Sequence, residues 1–180
     1  MQEWLGREHE YLAQSGSDLG ERMDAAFAWS WEQGADRVGL LGSDVPDFPV
    51  TLLEKGFSEM FLWDVVLGPA FDGGYFFIAF NRETYSKEVF SGIEWSGPTV
   101  CEQTKDRLKD KGLEVMLLPE WNDVDVFRDL NVLFRTNKAS SFRNSRTYAK
   151  LKGYAEQLKE YDIDLPGFGN PEDEVRRDGE

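Results

Sequence analysis

The stretch Arg37-Val-Gly-Leu-Leu-Gly-Ser-Asp-Val-Pro-Asp47 predicts the fold of this chain. Residues 38–41 form an apolar run that is too short for a helix and is typical of a buried parallel strand. In open α/β sheets ligands bind beyond the carboxyl ends of the strands, where a carboxylate can hold a divalent cation. Asp44 is therefore a candidate metal ligand, with Ser43 and Asp47 beside it. Alternatively, Asp44 only shapes the turn and Asp47 only caps the next helix.

The composition indicates a folded protein that works inside a reducing compartment. Of the 180 residues, 41% are hydrophobic and 14% aromatic, which suits one well-packed domain. Cys101 is the single cysteine, so an internal disulfide is impossible. The polar N-terminus does not resemble a signal peptide, and no apolar run approaches the ~20 residues that span a bilayer. We therefore predict a cytoplasmic protein with no membrane span.

The net charge of −14 argues against nucleic acid as a partner. A surface this acidic repels phosphate backbones and lacks the basic stripe that nucleic-acid-binding proteins present. If the protein binds a phosphorylated ligand, a metal cation must supply much of the local positive charge.

Strand and helix patterns alternate along the chain. Apolar runs predict strands at 38–42, 64–68, 76–80 and 113–119, and a weaker pattern suggests a short strand at 10–13. Apolar spacing predicts helices after Asp18 and Pro49, over 97–111 with Ser96 as the N-cap, after Asp125, and over 145–160. We expect residues 135–147 to form a surface loop. The alternation predicts a mainly parallel, three-layer α/β sheet.

The first predicted helix has a well-marked beginning. Asp18 and Glu21 have capping-box spacing, and Gly34 marks the expected end. A helix N-terminus that follows a loop of Gly and Ser also offers free backbone N–H groups to an anion. His9 has no partner at ligand spacing and is predicted to lie on the surface, while Cys101 is predicted to be a small core residue.

Acidic residues follow three of the predicted strands. They are Asp44 with Asp47, Asp72, and Asp123 with Asp125. Asp72 precedes Gly73 and Gly74, which allow a backbone to approach a ligand closely, although a plain Asp-Gly turn is the alternative. If strands 38–42 and 64–68 are neighbours, Asp72 faces the same cleft as Asp44. Three acidic loops at one sheet edge suit a Mg²⁺ or Mn²⁺ site for a nucleoside diphosphate.

Five motifs in one order resemble a known family. The order and spacing are similar to those of the bacterial glycosyltransferase-A-like proteins called radical-SAM/selenodomain-associated transferases. The resemblance covers roughly residues 4–132, and residues 133–165 would be a helical extension of a single domain spanning 1–165. The tail 166–180 is predicted to be mobile and acidic. The motifs are Gly16-Ser-Asp-Leu-Gly-Glu-Arg-Met23, Gly42-Ser-Asp-Val-Pro-Asp47, Asp64-Val-Val-Leu-Gly-Pro-Ala-Phe-Asp-Gly-Gly-Tyr75, Gly92-Ile-Glu-Trp-Ser96 and Asp123-Val-Asp125.

The resemblance implies the nucleotide-diphospho-sugar transferase fold, shared with molybdenum-cofactor guanylyltransferases and sugar nucleotidyltransferases. It implies that Asp44 binds the metal at the end of the central strand and that Asp125 is the second acid. Asp72, Gly73 and Gly74 would line the acceptor or sugar side. The remaining candidates for binding the donor are Asp18, Gly20, Arg22, Ser43, Trp95 and Ser96.

Two departures from the family pattern affect these expectations. Phe71 stands where the family has an acidic residue before Asp-Gly-Gly. The family also opens with a strand and a Pro-Gly loop carrying Lys-Thr-Arg, and nothing in this chain matches that opening. We therefore expect a domain that is incomplete at its N-terminus and a 180-residue chain that is inactive as it stands.

The sequence thus predicts metal-dependent transfer of a sugar from a nucleotide-diphospho-sugar to an unknown small-molecule acceptor. Asp72 or Asp47 would deprotonate the acceptor hydroxyl. One alternative is a nucleotidyltransferase that acts on a nucleoside triphosphate. Another is a non-catalytic remnant that binds a ligand or a partner.

Overall fold

The structure, a computed structural model, describes residues 6–159. Strands and helices alternate through most of this range. The strands are β1 (Arg37–Leu41), β2 (Val65–Pro69), β3 (Tyr75–Asn81) and β4 (Val115–Leu117). The helices are α1 (Leu19–Glu32), α2 (Val50–Glu59), α3 (Val100–Asp110), α4 (Phe127–Thr136), α5 (Arg146–Lys152) and α6 (Ala155–Lys159), with 3₁₀ turns at Lys87–Phe90 and Ser141–Asn144.

The four strands form one mixed sheet in the order β1-β3-β2-β4. Strand β3 runs antiparallel to both β1 and β2, whereas β2 and β4 are parallel. The predicted α/β class is correct, but the predicted mainly parallel sheet is wrong, and β1 and β2 are separated by β3. Strands β1, β2 and β4 nevertheless share one direction, so their carboxyl ends lie at the same edge of the sheet.

Strand β3 is buried along most of its length. Its residues 76–80 are all buried, without the alternation of a half-exposed strand. Neighbouring residues of β2 belong to two separate hydrophobic clusters. Val65 and Leu67 pack with Phe27 of α1 and Leu108 of α3, whereas Val66 packs with the side of the sheet that carries α2. Because successive side chains of a strand point to opposite faces, helices cover the sheet on both faces.

Helix α1 begins and ends where its sequence predicts. The Asp18 carboxylate accepts a hydrogen bond of 2.8 Å from the Glu21 N–H. The Glu21 carboxylate in turn accepts one of 2.7 Å from the Ser17 N–H, and the pKa of Glu21 is lowered by this bond. Gly34, with φ of 87°, follows the end of the helix. The first bond satisfies an N–H group of the first turn that would otherwise lack a partner, and the second holds the residue before the N-cap against that turn.

Two predicted helix caps are wrong. Helix α3 begins at Val100 after Thr99, and Ser96 lies before it with φ of 71°. Helix α4 begins at Phe127 after Val126 instead of after Asp125. The Asp129 carboxylate accepts hydrogen bonds from the N–H groups of Asp125 and Val126, at 3.0 and 2.9 Å. The Asp125 carboxylate is therefore available for another role.

Other local predictions had mixed outcomes. Residues 10–13 form no strand, and the helix predicted over 145–160 is divided at Gly153 into α5 and α6. The loop predicted at 135–147 contains the end of α4, a 3₁₀ turn and the start of α5. His9 is exposed and Cys101 is buried, as predicted. The predicted tail at 166–180 lies outside the described residues. Within residues 6–159 no helix combines the length and apolar content needed to cross a bilayer.

Phe27 is expected to contribute more to stability than any exposed position on α1. It is fully buried, stacks on Trp31 and Phe90, and meets the ring of Phe80 edge-on. Phe27→Ala should lower the free energy of unfolding by about 3–5 kcal/mol, measured by urea denaturation. Leu19→Ala on the same helix is the control, since Leu19 is 48% exposed, and should cost less than about 1 kcal/mol. Equal losses of unfolding free energy in the two variants would contradict the central position of Phe27 in the core.

Candidate functional site

The register between β2 and β4 brings two acidic residues together at the sheet edge. Val65 pairs with Val115 and Leu67 with Leu117, and beyond the strands Ala70 still forms a parallel bridge with Trp121. The Phe71 N–H donates to the Trp121 carbonyl at 3.2 Å. Asp72 and Asp123 each lie two residues past that bridge, so the same pairing leaves them side by side.

Asp125 completes a cluster of three carboxylates, which we call the acid cluster: Asp72, Asp123 and Asp125. One carboxylate oxygen of each lies within 4.8 Å of the others. Asp123 and Asp125 are two residues apart in the segment that joins β4 to α4. Asp72 and Asp125 are exposed and Asp123 is half-buried. Hard oxygen ligands in this number fit Mg²⁺ or Mn²⁺, so the acid cluster could hold either cation.

The neighbouring carboxylates affect the pKa of Asp123. That pKa is raised from its ordinary value of 3.8, first by burial and then by the carboxylates of Asp72, Asp125 and Asp44. A cation bound among these groups would remove the repulsion.

The loop that carries Asp72 is fixed to the N-terminus of α3. The Gly74 N–H donates to Asp72 Oδ1 at 2.8 Å, which is the turn that the sequence offered as an alternative. Gly73 has φ of 90°, and a Cβ built on it would lie 1.9 Å from the Pro98 carbonyl oxygen. The Gly73 carbonyl accepts a 2.8 Å hydrogen bond from the Cys101 N–H. The positive φ of Gly73 and its close approach to Pro98 thus explain this glycine without any role toward a ligand.

Asp44 lies at the same sheet edge but outside the acid cluster. Its carbonyl accepts a 2.9 Å hydrogen bond from the Val124 N–H, which joins the loop after β1 to the segment after β4. Its charge contributes to the raised pKa of Asp123. The sequence therefore placed Asp44, Asp72 and Asp125 correctly at one edge, whereas Asp123 was not chosen as a ligand. The two-residue spacing of Asp123 and Asp125 was the signal that could have identified it.

Asp47 connects three segments that are distant in sequence. Its Oδ1 accepts a 2.9 Å hydrogen bond from Trp121 Nε1, and its Oδ2 accepts one of 2.5 Å from Asn137 Nδ2. It does not cap α2, whose N-cap is Pro49 with no side-chain hydrogen bond. Each carboxylate oxygen can accept more than one hydrogen bond, so this carboxylate is held in place and can still accept a hydrogen bond from a ligand.

A cavity of about 270 Å³ opens beside the acid cluster. Its walls are the loop 46–50, the segment 120–124, helix α4 and the 3₁₀ turn that follows α4. Asp123 belongs both to the cavity wall and to the acid cluster. A molecule in this cavity would therefore lie against the acidic edge of the sheet.

Four of the residues predicted to bind the donor, Asp18, Gly20, Arg22 and Trp95, lie in or against the start of α1. Gly20 is buried, and a Cβ built on it would lie 2.8 Å from Cζ2 of Trp95, so these two motifs pack directly against each other. Arg22 Nε donates to the Gly16 carbonyl at 3.4 Å. Ser43 and Ser96 are exposed. Asp18 caps α1, as described above.

Comparisons with known proteins agree with this architecture. The profile of a family described as "Uncharacterized protein conserved in bacteria (DUF2064)" matches residues 1–97. A 1.90 Å crystal structure from Desulfovibrio desulfuricans G20, of a protein described as a "putative nucleotide-diphospho-sugar transferase", is 47% identical in sequence and has a TM-score of 0.87. The similarity covers 91% of this chain and 71% of that chain. No curated protein matches this sequence.

Gly73 should be much less tolerant of substitution than Gly74. Gly73→Ala requires a positive φ and places Cβ against the Pro98 carbonyl, whereas a Cβ on Gly74 would meet only Asp72 Oδ1 at 3.0 Å. We expect Gly73→Ala to lower the free energy of unfolding by about 2 kcal/mol or more, and Gly74→Ala by less than about 1 kcal/mol. Urea denaturation of both variants tests this, and similar costs would contradict the close approach to Pro98.

Asp123 should reduce stability at neutral pH in the absence of metal. The pKa of Asp123 is raised on folding, so the folded protein binds a proton there more tightly than the unfolded chain does. The stabilisation that this proton gives is complete below the unfolded-state pKa of 3.8 and is lost as the pH rises through the folded-state pKa. Asp123→Asn should therefore raise the melting temperature at pH ~7, and the gain should disappear near pH ~3. Thermal unfolding in EDTA provides the measurement. Asp106→Asn, at an exposed position on α3, is the matched control. A lower melting temperature for Asp123→Asn at neutral pH would exclude this repulsion.

Proposed function

Because this chain belongs to the bacterial family DUF2064 and resembles a Desulfovibrio protein described as a "putative nucleotide-diphospho-sugar transferase", we propose that it is a transferase of that kind. It would transfer a sugar from a nucleotide-diphospho-sugar to a small-molecule acceptor. The observation that carries the proposal is the acid cluster, which lies beyond the carboxyl ends of β2 and β4, where ligands bind in α/β sheets.

Asp72, Asp123 and Asp125 are the residues that would hold a divalent cation, Mg²⁺ or Mn²⁺. When bound, the cation would neutralise negative charge that develops on the leaving nucleoside diphosphate. Asp44, the ligand implied by the family resemblance, lies near enough to influence Asp123 electrostatically. Its direct coordination of the metal stays a prediction.

The transfer step exchanges one bond at the anomeric carbon of the sugar. The acceptor hydroxyl oxygen forms a bond to that carbon, and the bond from the carbon to the diphosphate oxygen breaks. The nucleoside diphosphate leaves with the electron pair of the broken bond. Asp47 receives the hydroxyl proton in this proposal, because it lines the cavity and is oriented by Trp121 and Asn137. Asp72, the other predicted base, belongs to the acid cluster.

We propose that the donor nucleotide binds on the side of the sheet that carries α1. Gly20 packs on Trp95, and Trp95 packs against the hydrophobic cluster of Phe27 and Val65. The cavity lies toward the other face, where Phe48 and Trp121 pack against the hydrophobic cluster that contains Val66. The acid cluster lies at the edge between these faces, so donor and acceptor could approach it from opposite sides. The roles of Asp18, Arg22, Ser43 and Ser96 toward the nucleotide stay predictions.

Two further predictions from the sequence stay open for experiment. One is membership of the radical-SAM/selenodomain-associated group within this superfamily. The other is a cytoplasmic location, for which the free and buried Cys101 is the support.

A product assay tests the proposed reaction. The protein is incubated with Mn²⁺ and with panels of nucleotide sugars and nucleoside triphosphates, each with and without candidate acceptors. Release of nucleoside diphosphate from a nucleotide sugar would support the proposed transfer and would show that the expectation of an inactive chain is wrong. Pyrophosphate release from a triphosphate would instead identify a nucleotidyltransferase, and no release from either panel would favour the non-catalytic alternative.

Loss of one carboxylate from the acid cluster should weaken Mn²⁺ binding. We expect Asp72→Asn, Asp123→Asn and Asp125→Asn each to raise the Kd for Mn²⁺ by at least about tenfold in isothermal titration calorimetry. Asp106→Asn makes the same charge change on α3 and should leave the Kd within about twofold. Asp125→Asn should leave stability nearly unchanged, since Asp129 and not Asp125 caps α4. Wild-type Mn²⁺ affinity in the three variants would disprove the metal role of the acid cluster.

A further inference from the structure

The cavity beside Asp123 has an aromatic wall. Phe48 and Trp121 line it and pack edge to face with ring centroids 5.0 Å apart. Phe142 lines it from the 3₁₀ turn, and Phe71 adds a side chain that is 50% exposed. Such surfaces favour a ligand with an apolar ring or an apolar face.

Hydroxyl groups also line the cavity. Thr136, Ser140 and Ser141 lie there, at the end of α4 and in the segment after it. The Thr136 and Ser140 hydroxyl groups donate to the Val132 carbonyl and to Asn137 Oδ1, at 2.9 and 2.5 Å, and can still accept hydrogen bonds, which suits a ligand that carries its own hydroxyl groups.

The ionisable side chains of the cavity wall are all acidic. Asp47, Glu120, Asp123 and Asp129 line it, and among the lining residues of the described range none is Lys, Arg or His. Asp47 and Asp129 accept hydrogen bonds from the protein, which hold their carboxylates in place. A phosphate or carboxylate in this cavity would meet like charges with no basic partner from the described lining.

We propose that this cavity is the acceptor site, and that it selects acceptors that carry a hydroxyl group and an apolar face but no acidic group. Neutral and cationic hydroxyl compounds are therefore preferred over phosphorylated or carboxylated ones. The assignment as an acceptor site rests on the proposed sugar transfer. The charge selection is a property of the cavity itself and can be measured without turnover.

Three aromatic compounds of almost equal size separate charge from shape. They are 2-(4-hydroxyphenyl)ethanol, which is neutral, tyramine, which is cationic, and 4-hydroxyphenylacetate, which is anionic. Saturation-transfer NMR titrations on the full chain in EDTA would give their dissociation constants, with millimolar values of about 1 mM expected for ligands this small. We expect the neutral and cationic compounds to bind at least about tenfold more tightly than the anion.

Variants of the cavity wall locate this binding. Ser141→Trp adds a large side chain at an exposed lining position and should weaken binding of the neutral compound at least about fivefold, as should Val132→Trp on α4. Ala149→Trp on α5 is the control, since Ala149 is exposed and does not line the cavity. Glu120→Lys should tighten binding of the anion, and Glu120→Gln should do so less.

The outcomes distinguish this inference from the proposed function. Equal affinity for the three compounds, no detectable binding of the neutral compound, or binding that Ser141→Trp leaves unchanged would overturn the inference. None of these results depends on release of nucleoside diphosphate. Conversely, charge-selective binding in the cavity without any such release in the product assay would leave the selectivity standing and contradict the assignment as an acceptor site.

Discussion

Strand β3 imposes the constraint on which the rest of the structure depends. Five consecutive buried residues, 76–80, must be covered on both faces, and their backbone groups must be paired on both sides. Strands β1 and β2 fulfil the second requirement as antiparallel neighbours, which forces them to run in the same direction. Strand β4 then adds to β2 in parallel. The carboxyl ends of three strands consequently lie at one edge of the sheet. The acidic loops that follow these strands therefore lie at that edge too.

The sequence was sufficient to identify most elements but not their pairing. Apolar runs located β1 to β4, and Asp18 with Gly34 marked both ends of α1, because these signals are local. Periodicity carries no information about neighbours, so the position of β3 between β1 and β2 was missed. One local signal did point to it: five residues, 70–74, connect β2 to β3, and a parallel crossover needs about a dozen or more.

The site shows the same division between local and non-local information. Acidic residues after strand ends indicated the correct edge, and Asp72 and Asp125 do lie together. The pairing of Ala70 with Trp121, which brings Asp123 beside Asp72, depends on register and cannot be read from either segment alone. The sequence predicted Asp125 as the cap of α4, and only the backbone geometry shows that the Asp129 carboxylate has that role. Asn137, which holds Asp47, is 90 residues away in sequence.

The acid cluster and the outer wall of the cavity belong to different parts of the fold. The acids that would handle the reaction follow β2 and β4, whose main-chain ladder extends to the Ala70–Trp121 bridge. The outer wall of the cavity belongs to α4 and the 3₁₀ turn after it, which the Asp47–Asn137 hydrogen bond fastens to the loop after β1. Substitutions on the cavity side of α4 and that turn can therefore reshape the recognition surface while the acids keep their positions. Relatives of this chain could thus diverge in the molecules they accept without any change in the chemistry at the sheet edge.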